Sequence, residues 1–194
     1  MATTESGRFR VLDDPDADGW LFLDREGYEP VAVPREGHGE LTDAVAGLAP
    51  GTLVEATLDW GAADPRVRTL SVVRETEYVF ADEITGLFEA ARETWAEAER
   101  AGEGMGSRVT RNTDGEANGV CYVFADGPGS PDLFAEFRDG RRPIEPLVDR
   151  VNAEEPAPRT VFVLRPADEP FVVVYIVLDP GGLLDQTVRD TYGL

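Results

Sequence analysis

The sequence predicts an α+β chain of two domains, a small β-barrel over residues 1–78 and an antiparallel-sheet domain over residues 79–194. Three observations carry this. Short apolar–polar alternations recur up to residue 78, strand-length and closely spaced. Beyond it, helical stripes alternate with pairs of strands. The longest apolar run, Phe171 to Leu178, is β-branched and strand-length, as a central strand covered on both faces must be.

In the first domain, Arg8 to Asp13 is a strand with Phe9 and Val11 on one face. Trp20 to Asp24 is a second, and Tyr28 to Pro34 a third with Val31 and Val33 aligned. The period then changes: Leu41, Ala44, Val45 and Leu48 form one helical stripe, stopped by Pro50-Gly51. In the next strand Val54, Ala56, Leu58 and Trp60 share a face. Asp64-Pro65 turns the chain into a last strand, Arg66 to Arg74. Three strands, a short helix and two strands is the element order of the OB-fold. The expectation is therefore an OB-like barrel.

The second domain begins with a stripe of Ile84, Leu87, Phe88, Ala91, Trp95 and Ala98, a helix with Asp82 as N-cap and Gly102 past its end. A hairpin follows, Ser107 to Asn112 and Val120 to Ala125, with a loop ending in Asn118-Gly119. Ser130-Pro131 opens a short helix, and Ile144, Leu147, Val148 and Val151 mark another. Thr160 to Arg165 and Phe171 to Leu178 are two strands, and Asp179-Pro180 opens a last helix. The order α-ββ-αα-ββ-α is similar to that of profilin/roadblock-like modules, a likeness of topology that says little about function.

Charge narrows the setting. The net charge is −20 over 194 residues, from 38 acidic side chains against 18 cations, and every cation is arginine. The carboxylates are spread among apolar residues along the chain, unlike an acidic disordered tail. Such a chain repels itself in dilute buffer. At about 1 M salt the Debye length falls to roughly 3 Å and the repulsion is screened. A salt-adapted, halophilic protein is the expectation. No window has the length of a membrane span, and the start, MATTESGRFR, lacks an export signal. This reads as cytoplasmic, with no membrane partner. One cysteine excludes an internal disulfide.

The stretches GLFEAARETW (86–95), GEGMGSRVTRNTDGEANGVCYVF (102–124), LFAEFRDGR (133–141) and RPADEPFVVVYIV (165–177) resemble a haloarchaeal family catalogued only as a domain of unknown function. The resemblance covers essentially the whole chain and implies no activity.

Candidate chemistry is sparse. Asp14, Asp16 and Asp18, followed by Gly19, match the opening of a calcium loop. The expected bidentate Glu at loop position 12 is Arg25, so an acidic hairpin turn is the competing reading. Gly102 to Gly106 has the glycine density of a phosphate loop but follows a helix and leads into a strand, which suits a connector. His38 and Cys121 are single residues of their kind, too few for a conventional zinc site, and Cys121 sits in a strand where it packs as a small hydrophobe. No cofactor is expected. The leading function is a non-catalytic RNA-associated binding protein, its barrel the platform; in molar salt such binding rests on stacking and hydrogen bonds. The binding candidates are Arg66 and Arg68 on the last barrel strand, with Arg108, Arg111, Asn112 and Tyr122 on the hairpin. Ion pairs with neighbouring carboxylates are the other use for those arginines. The alternative function is a protein–protein interaction or regulatory module working through the second domain. A hydrolase or transferase comes last, because no nucleophile or base is identifiable.

Overall fold

The computed structural model describes residues 3–194 and is α+β, with two five-stranded sheets and five α-helices among those residues. The chain forms two compact units. The first takes in the chain up to Glu77 together with Phe137–Glu145; the second holds Tyr78–Glu136 and Pro146–Leu194.

In the first unit the strands are β1 (Thr4–Asp13), β2 (Gly19–Asp24), β3 (Pro30–Pro34), β4 (Leu53–Asp59) and β5 (Arg66–Arg74). Helix α1 (Thr42–Ala46), entered through a 3-10 turn at Gly39–Leu41, lies between β3 and β4 in the chain. The sheet order is β3-β2-β1-β4-β5, antiparallel at each pairing. Period-2 alternation turns Phe9, Val11, Trp20, Phe22, Val54 and Leu58 into one core, joined by Val45 of α1. Trp20 is 2% exposed and donates its indole N–H to the Val45 carbonyl.

The end strands β3 and β5 both reach that core, through Val33 and Val67. No ladder joins them in the sheet order; His38 spans the gap instead. Its Nε2 lies 2.6 Å from the Pro34 carbonyl at the end of β3, and its Nδ1 accepts the Val67 N–H of β5 at 3.0 Å. That pairing requires the neutral ring with its hydrogen on Nε2.

The outward residues of β1 and β2 are covered by their own unit. Gly140, at φ +71, comes so close to Leu12 that a Cβ would stand 3.0 Å from its Cδ1. Beside it Arg10 donates from Nε and Nη2 to the Glu145 carboxylate, at 2.7 and 2.6 Å, and from Nη1 to the Gly51 carbonyl at 2.7 Å. Both side chains are 2% exposed. Arg25 approaches the same carboxylate at 2.9 Å.

The second unit has β6 (Glu77–Ile84, from Tyr78 on), α2 (Glu89–Ala101), β7 (Met105–Arg111), β8 (Ala117–Ala125), α3 (Leu133–Arg138) and α4 (Glu145–Val151), whose facing ends at Phe137–Arg138 and Glu145 belong to the first unit, β9 (Thr160–Pro166), β10 (Phe171–Val177) and α5 (Leu183–Tyr192). Its sheet order is β6-β9-β10-β8-β7, with β10 central and buried along its length. On one face of β10, Phe171 stacks on Trp95 of α2 at 5.2 Å, Tyr175 stacks on Phe88 at 4.9 Å, and Val188 of α5 completes the cluster. Val172, Val174 and Ile176 on the other face are equally buried.

Two expectations change. The helix predicted from Asp82 begins at Glu89, because residues up to Ile84 form a strand. Ile84 and Leu87 fit helical spacing, but Asp82 does not cap: its carboxylate takes the Arg165 guanidinium. Gly102 does terminate α2, in the left-handed conformation at φ 73. Asn118-Gly119 lies inside β8 rather than ending a loop, and the turn falls at residues 112–116.

The buried Arg10–Glu145 pair sets a stability test. Removing the carboxylate leaves a buried guanidinium without its counter-charge, at a cost of about 3–5 kcal/mol. Glu145→Ala should lose that much in urea unfolding, and replacing both residues by methionine should lose clearly less. A Glu145→Ala protein within about 1 kcal/mol of wild type would contradict the assignment.

Candidate interaction surface

The predicted binding residues separate into those that hold the fold and those that face solvent. On β5, Arg68 donates to Asp59 from Nε at 2.8 Å, while Arg66 is exposed. The Arg68 hydrogen bond, with another from the Gly61 N–H, holds the Asp59 carboxyl below the usual range. Arg108 of β7 is bound by both Glu93 and Glu97, one helical turn apart on α2. Arg111 donates to the Gly115 carbonyl at 2.9 Å. Asn112 caps its own turn, its Oδ1 accepting the N–H groups of Asp114 and Glu116 at 3.0 and 2.9 Å. Tyr122 is 2% exposed, with its hydroxyl toward Arg150, and burial raises its phenol above the ordinary range. Arg108 and Tyr122 therefore do not form one site: Arg108 faces α2, and Tyr122 points to the other side of the sheet.

The acidic turn is similarly self-contained. Asp14 accepts the Asp16 N–H at 2.9 Å, and Arg35 pairs with Asp13 and with Asp18. The Arg35 guanidinium also lies 3.7 Å above the Trp20 ring. Among the described residues, no three His, Cys, Asp or Glu side chains are grouped to hold a metal ion. No helix of the described residues is long and apolar enough to cross a membrane.

What the sequence reading missed is the outer edge of the second sheet. Strand β7 ends the sheet order, and along it the residues alternate between exposed and half-buried. Gly106, Arg108 and Thr110 face α2. A Cβ at Gly106 would sit 3.1 Å from Ala98 Cβ, so glycine lets helix and strand approach. Thr110 is bonded to Asn118 Oδ1 and to the Tyr175 hydroxyl, each at 2.8 Å. Gly119 beside it has no room for a side chain, with Tyr175 Cε2 2.8 Å from where a Cβ would stand.

Met105, Ser107 and Val109 occupy the opposite face, and the two apolar residues are 39% and 49% exposed. Their backbone direction follows from the ladder. The Ala125 N–H bonds the Gly104 carbonyl, and these residues are opposite each other in register. In an antiparallel ladder hydrogen-bonded pairs alternate, so Gly106, Arg108 and Thr110 bond to β8. The N–H and C=O groups of Met105, Ser107 and Val109 point outward, away from β8. A shallow groove runs along this edge, lined by Thr94, Glu97, Ala98, Glu103, Met105 and Ser107. Exposed apolar side chains with unpaired backbone groups form a pairing edge.

Cys121, opposite Arg108 on β8, is fully buried. Burial pushes its thiol from 9.0 up to about 12. Between those values the folded protein keeps a proton that the unfolded chain releases, so stability must fall as pH rises through the window, by at most about 1.4 kcal/mol per pH unit. Cys121→Ala should flatten that slope, and a thiol reagent should label the wild type only after unfolding. An unchanged slope, or rapid labelling of the native protein, would contradict this placement.

The chain belongs to the Family of unknown function (DUF6663), which matches residues 1–194. A comparison with curated proteins finds no match.

Proposed function

We propose that this family member is a non-catalytic protein–protein interaction module working through the β7–β8 hairpin of its second unit. The observation that carries the reading is the β7 edge, where Met105 and Val109 are exposed beside outward-pointing backbone groups. Extended partners bind such edges by main-chain hydrogen bonds, with alternate side chains giving selectivity. The single histidine and the single cysteine are both engaged in the fold. His38 has both ring nitrogens in backbone hydrogen bonds, and Cys121 is buried with a raised thiol. The second unit reads as profilin/roadblock-like with β6 added to its sheet, and the setting as the cytoplasm of a salt-adapted cell.

A second reading, RNA association through the first unit, draws on Trp60. Its ring is 40% exposed and it directly follows Asp59, which lies opposite the exposed Arg66. A solvent-facing indole suits base stacking. The strand order, with a helix between β3 and β4, supports an OB-like platform. Trp20 takes no part, being buried beneath Arg35.

One capture experiment separates the two. Tagged wild type and Val109→Arg are used as bait in molar KCl, each with and without RNase. The interaction reading expects a protein partner that survives RNase and falls at least about tenfold with Val109→Arg, an interface charge substitution of roughly 1.4 kcal/mol or more. Partners lost to RNase but retained by Val109→Arg would favour RNA and overturn it.

A further inference from the structure

We propose that the partner of the β7 edge is a second copy of this chain, the two β7 strands pairing antiparallel about a two-fold axis at Ser107. This rests on the interaction reading above and specifies its occupant.

Register selects the partner. Only residues whose backbone points outward can form the hydrogen-bonded pairs of a new ladder, which restricts them to Met105, Ser107, Val109 and Arg111. Arg111 joins this set because Asn112 bonds inward to Glu116. A two-fold pairing must also be self-complementary. With Ser107 opposite Ser107 of the copy, Met105 falls opposite Val109 and Val109 opposite Met105. Both exposed apolar side chains are then covered by each other on one face, on either side of a small hydroxyl. The same register brings the exposed Arg111 at the end of one β7 toward the exposed Glu103 just before the other, an approach of opposite charges at each end. On the other face Arg108 falls opposite Gly106 and stays bound to Glu93 and Glu97 of its own chain.

Neighbouring registers lose these matches. A shift that centres the axis on Arg108 sets two guanidinium groups opposite each other and puts Met105 against Arg111. A shift that centres it on Gly106 places Met105 against Ser107 and moves Val109 beyond the end of the copy's strand, opposite Glu103. Directly opposed like charges and unpaired apolar groups are unfavourable in a ladder. The groove along the edge, between α2 and β7, is lined by Met105 and Ser107. At −20 per chain, self-association is opposed by long-range repulsion, so molar salt is the condition that reveals it.

The test uses the full chain in molar KCl. Sedimentation equilibrium should show a species of twice the chain mass. Ser107→Pro should weaken association at least about 100-fold, since proline removes an outward N–H that β8 does not use, a position where edge strands accept it. Ser107→Cys supplies a readout of register independent of stability. Across the axis the two Cα atoms of a hydrogen-bonded pair stand about 5.5 Å apart, within the roughly 4.4–6.8 Å that a disulfide spans. Mild oxidation should cross-link Ser107→Cys and leave Arg108→Cys uncross-linked, and Cys121, buried, does not interfere. A wild type that stays monomeric at every concentration would overturn the proposal, as would a dimer that resists Ser107→Pro or cross-links through Arg108→Cys. A monomer that still captures another protein through Val109 overturns self-pairing and spares the interaction reading. A monomer that captures nothing overturns both.

Discussion

The central strand β10 is the constraint from which the second unit follows. Its seven residues are apolar or aromatic, and all are buried. Such a strand has to be covered on both faces and paired along both edges. Trp95 of α2, Phe88 just before that helix and Val188 of α5 meet one face. Strands β8 and β9 take the edges. The hydrogen-bonding parity then passes outward strand by strand. Leu178 N–H bonds the Asn118 carbonyl, which turns the even residues of β8 toward β10 and its odd residues toward β7. That leaves the odd residues of β7 facing away from the sheet. The exposed edge is thus the residue of an ordering that begins in the core.

The first unit is held by a different balance, in which polar groups do work that strand pairing leaves undone. Its sheet shares one core from β3 to β5, but those two strands are joined by an imidazole rather than a ladder. On the outer side of β1, a buried arginine and a buried glutamate separated by 135 residues satisfy each other. Burying two charges is costly, and close geometry offsets that cost only when the remaining donors are also bonded. Arg10 meets the condition through the Gly51 carbonyl. The same economy governs the surface: Arg35, Arg68, Arg108 and Arg165 each bind carboxylates, and so spend their charge within their own unit.

These features were unequally legible in the sequence. Alternation found most strands, since Phe9 with Val11 and Val54 with Ala56 are local patterns that burial enforces. The run Phe171 to Leu178 marked the central strand for the same reason. Strand β6 was hidden because Ile84 and Leu87 extend the spacing of the helix behind them. The pairing of Arg10 with Glu145 has no local signal, and neither does the spanning of β3 and β5 by His38. Among the candidate site residues, Arg108 and Arg111 were found by residue type, but their partners depend on which strand face each occupies. Met105 and Val109 could have been noticed as apolar residues in a polar hairpin. Their exposure depended on β7 being last in the sheet, which the order of elements along the chain does not reveal.

The most direct measurement is amide hydrogen exchange along β7 in molar KCl, read residue by residue at low and high protein concentration. The even residues bond to β8 and should be protected at both. If the outward groups pair with a second chain, the amides of Met105, Ser107 and Val109 should slow by at least about a hundredfold as concentration rises, since an amide in a ladder exchanges only when it opens. Odd-residue amides that exchange freely at every concentration, while their even neighbours stay protected, would contradict self-pairing of this edge.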